Sequence, residues 1–164
     1  MVTISKSFKI ALFIPLSIIL NCCGYSTKSL LPPNLKNVYI EIFENRTIKV
    51  GLGEDMSREL IHQFMADGTM RITSEGKSQL KLTGEVSYFN KEPYVYSGNQ
   101  TVYKYKITLS CKIKCLDLTK NTTYWEGEIS DWATFDQNQD ETVGIKEAMT
   151  KVAKETVRRI LTNW

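Results

Sequence analysis

Residues 102–116 read VYKYKITLSCKIKCL, and their alternation decides the fold. Tyr103, Tyr105, Ile107, Leu109, Cys111, Ile113 and Cys115 fall on one side of an extended chain; Lys104, Lys106, Thr108, Ser110, Lys112 and Lys114 fall on the other. Side chains of a β-strand point alternately to its two faces. A strand this long with one apolar and one polar side fits an antiparallel sheet. One face rests on a core and the other meets water or a polar partner.

The neighbouring segments extend the same pattern. Residues 80–89 (LKLTGEVSYF) place Leu80, Leu82, Val86 and Tyr88 on one face. Residues 117–121 make a turn, and 122–132 (TTYWEGEISDW) read as the next strand of a meander. Residues 37–43 (NVYIEIF) form a β-branched and aromatic first strand, broken by the polar run Glu44-Asn45-Arg46-Thr47. A short strand is expected at 70–73.

Two segments carry helical periodicity instead. Within 54–66 (EDMSRELIHQFMA), Met56, Leu60, Ile61, Phe64 and Met65 share one side, and Asp55, Arg58, Glu59 and His62 share the other. Glu54 and Asp55 suit its start, and Gly68 suits its stop. Residues 140–162 form a second amphipathic helix with Ile145, Met149, Val152, Ala153, Thr156 and Ile160 inside. The fold class that follows is α+β: a two-layer sandwich, two helices packed on one face of a mostly antiparallel four-stranded sheet. Residues 37–164 make one such domain.

The N-terminal part reads differently. Residues 1–9 carry Lys6 and Lys9, and no acidic residue precedes Glu41. Residues 10–20 (IALFIPLSIIL) are an apolar run of eleven, broken only by Ser17 and Pro15. A membrane-spanning helix needs about 20 apolar residues. A positive flank on a short apolar run is the form of a secretory signal. Leu20-Asn21-Cys22-Cys23-Gly24 then resembles a bacterial lipobox, with Leu20 at −3, the small Cys22 at −1 and Gly24 just after the acceptor thiol. Cys23 is the expected site of lipid attachment. Cys22 is the second choice, with Ile19 at −3 but the larger Asn21 at −1. The reading gives a signal peptide at 1–22 and an acylated N-terminus and tether at 23–36. Several acyl chains hold a protein on a bilayer where one does not.

With Lys6 and Lys9 removed, the 21 basic residues fall to 19 against 18 acidic ones, a net of +1. No basic surplus speaks for a nucleic-acid partner. Cys111 and Cys115 lie four residues apart on one strand, about 13 Å between α-carbons, beyond disulfide reach. His62 is the one histidine, on a solvent face, so no Cys-His metal set, nucleophile–base pair or cofactor motif is expected. The chain reads as a binding protein with no cofactor, not an enzyme.

The order of these signals resembles the LptE family of lipopolysaccharide-assembly lipoproteins. Carrying the likeness are Leu20 to Cys23-Gly24-Tyr25, Leu31-Pro32-Pro33, and the strand at 38–43 running into Phe43-Glu44-Asn45-Arg46-Thr47. The helix with Leu60 and Phe64, Leu82-Thr83-Gly84, and strand 103–113 entered from Asn99-Gln100-Thr101 complete it. The resemblance implies a plug and assembly partner of the outer-membrane β-barrel LptD, inserting lipopolysaccharide in the outer leaflet. It also implies a lipid-anchored place on the periplasmic side of the outer membrane. Some members carry a base at the hairpin tip and another before the last helix. Here those stretches read Tyr96-Ser97-Gly98-Asn99 and Asp136-Gln137-Asn138-Gln139, without one. The positive charge available is the strand face Lys104, Lys106, Lys112 and Lys114, about 7 Å apart within each pair. These four are the candidate contacts for lipopolysaccharide phosphate or barrel carboxylates. Another envelope class, resembling the CsgG or LpoB lipoproteins of secretion and cell-wall synthesis, shares the Phe-x-Asn strand end, helix and glycine stop. The long meander after Gly84 departs from that class.

Overall fold

The computed structural model describes residues 31–96, 98 and 101–162. The signal segment, Cys22 and Cys23, and Ser97 and Asn99 of the hairpin tip lie outside the described residues. Three long strands dominate: β4 (Leu80–Tyr96), β5 (Val102–Asp117) and β6 (Thr122–Asp136). They pair antiparallel in sequence order, as the alternation of residues 102–116 requires.

The rest of the sheet corrects the expectation of four mostly antiparallel strands. It has six, in the order β3-β1-β4-β5-β6 with β2 also on β4. The three short strands, β1 (Asn37–Ile40), β2 (Glu44–Asn45) and β3 (Arg71–Ile72), all pair parallel. The sheet is therefore mixed. Helix α1 (Leu52–Asp67) connects β2 to β3 as a crossover, and such a connection returns the chain in the same direction. Helix α2 (Glu141–Thr162) follows β6. Both helices lie on one sheet face, so the two-layer α+β sandwich stands.

The expected first strand, 37–43, is broken in two. Val38 and Ile40 point inward, but Ile42 is 70% exposed and Phe43 is buried in its place. Phe43 explains the break. A side chain added to Gly84 would lie 2.5 Å from the Phe43 ring, and one added to Gly53 would lie 2.2 Å from the Phe43 carbonyl oxygen. Phe43 thus fills the space above one glycine and lets the first turn of α1 close on its backbone through the other. The Phe43 N–H donates to Ser57 Oγ at 2.8 Å, and that hydroxyl donates to the Gly53 carbonyl at 2.9 Å. Asn45 then fixes the following loop, accepting from the Thr47 N–H at 3.0 Å and donating to the Lys49 carbonyl at 2.6 Å.

Two inward assignments change face. Tyr88 is 49% exposed because a bulge between Val86 and Tyr88 adds a residue and inverts the alternation. Met65 is 68% exposed, while Met56, Leu60 and Phe64 carry the inner stripe of α1. The inner stripe predicted for α2 is buried throughout. Cys111 and Cys115 are free and buried, and burial pushes both thiols up to about 12. Leu35, within the stretch read as tether, is already part of the core.

Two outcomes test this packing. Leu109→Ala should cost about 2–5 kcal/mol in chemical denaturation, as a buried cavity, while Thr108→Ala on the opposite face stays within about 0.5 kcal/mol. Gly84→Ala should cost about 1–3 kcal/mol by overpacking. In a Phe43→Leu background that cost should fall without vanishing, since the Lys112 carbonyl, 2.6 Å from the added carbon, remains.

Candidate functional site

Helices cover one face of the sheet and leave the other open, and the β5 lysines stand on that open face. Parity alone places them there, and Lys104, Lys106, Lys112 and Lys114 are brought together as expected. Thr108 and Ser110 split them into an outer pair, near the β4–β5 hairpin tip, and an inner pair.

Register gives each lysine a carboxylate. Lys104 meets Asp136 of β6 at 2.8 Å, and Lys106 meets Glu92 of β4 at 3.3 Å. Lys112 meets Glu85 of β4 at 3.6 Å, and Lys114 meets Glu126 of β6 at 3.4 Å. Cross-strand neighbours lie within reach of each other's side-chain tips, so the bare basic face of a single strand becomes balanced in the sheet. The Lys104 ammonium is held above its ordinary value, first by its hydrogen bond to Asp136. Lys112 is the loosest of the four, with the longest separation and a side chain 61% exposed. Around the inner pair the face forms a recess of about 670 Å³, with Lys112, Lys114 and Arg46 set among five carboxylates, Glu41, Glu44, Glu85, Glu126 and Glu128.

Sequence reasoning missed the rings beside the outer pair. Tyr94 and Trp132 pack with centroids 5.9 Å apart, and the Lys106 ammonium lies 5.6 Å from the Trp132 ring. Tyr103 joins Asp136, Gln137 and Asn138 around a second recess of about 460 Å³. The carboxylates and rings were visible as residue types. Only the pairing of β4 and β6 with β5 shows which of them stand beside which lysine.

The base of the hairpin is fastened by Glu141. It opens α2 and accepts from Lys91 at 2.8 Å and Lys49 at 3.0 Å, tying β4 and the 45–51 loop to the helix start, where a negative charge is favoured. Lys91 also lies 4.9 Å from the Tyr105 ring and 5.3 Å from the Phe135 ring, two rings stacked at 5.6 Å. The Lys91 hydrogen bond, then the Lys49 one, hold the Glu141 carboxyl below its ordinary 4.5.

No group of His, Cys, Asp and Glu suited to a metal stands among the described residues. Tyr88, Tyr94 and Trp132 are exposed, and beneath them the buried Ser110 hydroxyl donates to Ser130 Oγ at 2.9 Å. Such a surface matches another broad surface or an extended ligand.

The model of the LptE family, described as lipopolysaccharide-assembly, matches residues 35–164. No curated protein matches the chain in sequence. Among solved structures, a hypothetical protein from Chlamydia trachomatis superposes with a TM-score of 0.57 at 10% identity, over 77% of this chain and 95% of its own. A PelC dodecamer subunit from Paraburkholderia phytofirmans gives 0.53 at 13% identity, over 79% and 88%. A minor lipoprotein from Acinetobacter baumannii gives 0.52 at 14%, over 80% and 95%. At these identities the likeness is one of fold.

Glu141 gives this site its pH test. A carboxyl with a lowered folded value stabilises above its unfolded value and loses that contribution as pH falls through the folded one. Glu141→Gln should therefore speed amide exchange at Thr47, Ile48 and Lys49 at neutral pH. The unsubstituted chain should show the same loosening only once the pH drops below the ordinary glutamate range.

Proposed function

The chain belongs to the LptE family of lipopolysaccharide assembly, and from that premise we propose that it acts as a lipid-anchored plug and partner of an LptD-like outer-membrane β-barrel. In this role it aids insertion of lipopolysaccharide in the outer leaflet and catalyses no reaction. The signal peptide at 1–22 is removed, and Cys23 carries the acyl chains that hold the protein to the periplasmic side of the outer membrane. The domain at 37–164 does the binding.

The observation that carries this reading is the uncovered sheet face. Three strands of 15 to 17 residues stand side by side, and both helices lie behind them. The point where the chain enters the core and the hairpin end also lie at opposite ends of β4. The chain enters the core at Leu35, beside the start of β4, and Tyr96 ends that strand at the tip. A strand of 17 residues spans up to about 55 Å, so an anchored domain holds its tip well away from the lipid.

Within the face, the lysines contact phosphate of lipopolysaccharide or carboxylates of the barrel lumen by exchanging partners. Lys112 and Lys114 are the better placed, since they share the inner recess with Arg46. Lys104 is committed to Asp136. Exposed ion pairs contribute only about 0–1 kcal/mol each, so an incoming phosphate displaces a carboxylate at little cost.

Purification from membranes in mild detergent, with mass spectrometry of what accompanies the chain, tests the proposal. The expected result is an LptD-type barrel and lipopolysaccharide with the unsubstituted protein, whose own mass matches residues 23–164 plus lipid. Cys23→Ala should release the chain from membranes. Replacing Lys104, Lys106, Lys112 and Lys114 together by Gln should weaken lipopolysaccharide binding and flatten its salt dependence, with thermal unfolding nearly unchanged. Undiminished binding in that variant would reduce the lysines to a solvated surface; recovery of a secretion or cell-wall partner instead of a barrel would sink the assignment.

A further inference from the structure

Strand β6 ends the sheet, and its outer edge divides into two unlike halves. Register with β5 runs without a shift from Trp125 to Asp136, so one set of alternate residues turns its backbone groups outward along this whole stretch. The Trp132 and Asp136 contacts identify that set. The Trp132 N–H donates to Asp131 Oδ1 at 2.7 Å, and its carbonyl accepts from Lys151 Nζ at 2.9 Å. The Asp136 N–H donates to Gln139 Oε1 at 3.1 Å. Even-numbered residues therefore face away from β5. The Gln137 N–H, of the other parity, bonds back to the Tyr103 carbonyl at 3.0 Å. At Trp132 and Asp136 the outward groups are thus taken by the protein's own chain, leaving between them only those of the half-buried Thr134 without a cap among the described residues. Along 126–130 none is taken: among the described residues nothing caps the outward N–H and C=O groups of Glu126, Glu128 and Ser130, and all three residues are exposed.

The charge of the strand selects what can pair there. β6 contains Glu126, Glu128, Asp131 and Asp136 and no basic residue. Edge strands commonly carry charge to deter association, and here the deterrent has a sign. A second copy of β6 would set glutamate against glutamate. A strand bearing lysine or arginine would meet Glu126 and Glu128 on the open face, as Lys114 already meets Glu126 from the β5 side. On the helix side the row is Trp125, Gly127 and Ile129. The Trp125 ring lies over Gly127, 2.9 Å from where a side-chain carbon would be, and leaves a partly buried apolar surface at the edge.

We propose that the 126–130 edge of β6 takes up an extended peptide segment whose residues alternate between basic and aliphatic. Main-chain hydrogen bonds to Glu126, Glu128 and Ser130 supply the attachment, and the alternation supplies the choice of partner. The proposal rests on β6 alone and does not need the barrel or lipopolysaccharide.

The test adds a capped eight-residue peptide of alternating Lys and Val to the full chain purified in mild detergent, with a Glu–Val peptide as its counterpart. Amide exchange is followed by NMR. At saturation the Lys–Val peptide should slow exchange of the Glu126, Glu128 and Ser130 amides by at least about tenfold, leaving the already capped Trp132 and Asp136 amides unchanged. Glu128→Pro removes an outward N–H that the β5 ladder does not use, so it should abolish the protection while the fold persists. The pair Glu126→Lys and Glu128→Lys should reverse the preference toward the Glu–Val peptide. No protection, equal protection by both peptides, or protection confined to other amides would each overturn the proposal. So would amides already protected in the free chain, or a dimer seen in sedimentation without peptide, since the edge would then be held by another segment or by a second copy.

Discussion

The contact on which the rest of the structure depends is Phe43 held between two glycines. Gly84 leaves room for its ring on β4, and Gly53 lets the first turn of α1 rest against its carbonyl. Neither glycine is needed for a positive φ; both are needed for close approach. The chain leaves its first strand at 41–43 to make this contact, and that departure splits β1 from β2. Once α1 is fixed there, its Gly68 cap returns the chain as β3 beside β1, and the parallel half of the sheet follows.

The antiparallel half depends on β5. Its inward row, Ile107, Leu109, Cys111, Ile113 and Cys115, is fully buried, which leaves no freedom to slip by one residue without turning the row outward. The same rigidity fixes the charges on the other face. Because β4 and β6 cannot shift along β5, the carboxylates that meet the four lysines are determined by the packing beneath them. The sheet face that results is broad, nearly neutral and edged with aromatic rings near the hairpin tip. In the proposed role, charge on such a face would set a partner's position more than the strength of its binding.

The two ends of the molecule have different work. At the chain entry, Asn37 donates no side chain to the core but takes its place through the Gln79 side chain, which accepts its N–H at 2.8 Å. At the far end, Glu141 gathers Lys49 and Lys91 and so joins loop, hairpin and helix in one cluster. Beyond it, Tyr94, Tyr96 and Tyr103 of the hairpin strands are exposed. The entry end is thus pinned to the sheet, while the other end leaves its rings uncovered.

The sequence by itself determined what repeats with a regular period. The alternation in β5 fixed its two faces, the 3.6-residue spacing fixed the inner stripe of α2, and both placed the lysines together on the open side. The order of these elements sufficed to identify the family. Tertiary structure decided whatever depends on one segment meeting another. The bulge that turns Tyr88 outward, the interruption of 37–43 by Phe43, and the parallel pairing of three very short strands leave no periodic trace, because each is set by a neighbour distant in sequence. The same holds for the site. The lysines were legible as a stripe; that Glu85, Glu92, Glu126 and Asp136 neutralise them was not, since a strand's charge is its own but its partners belong to the register.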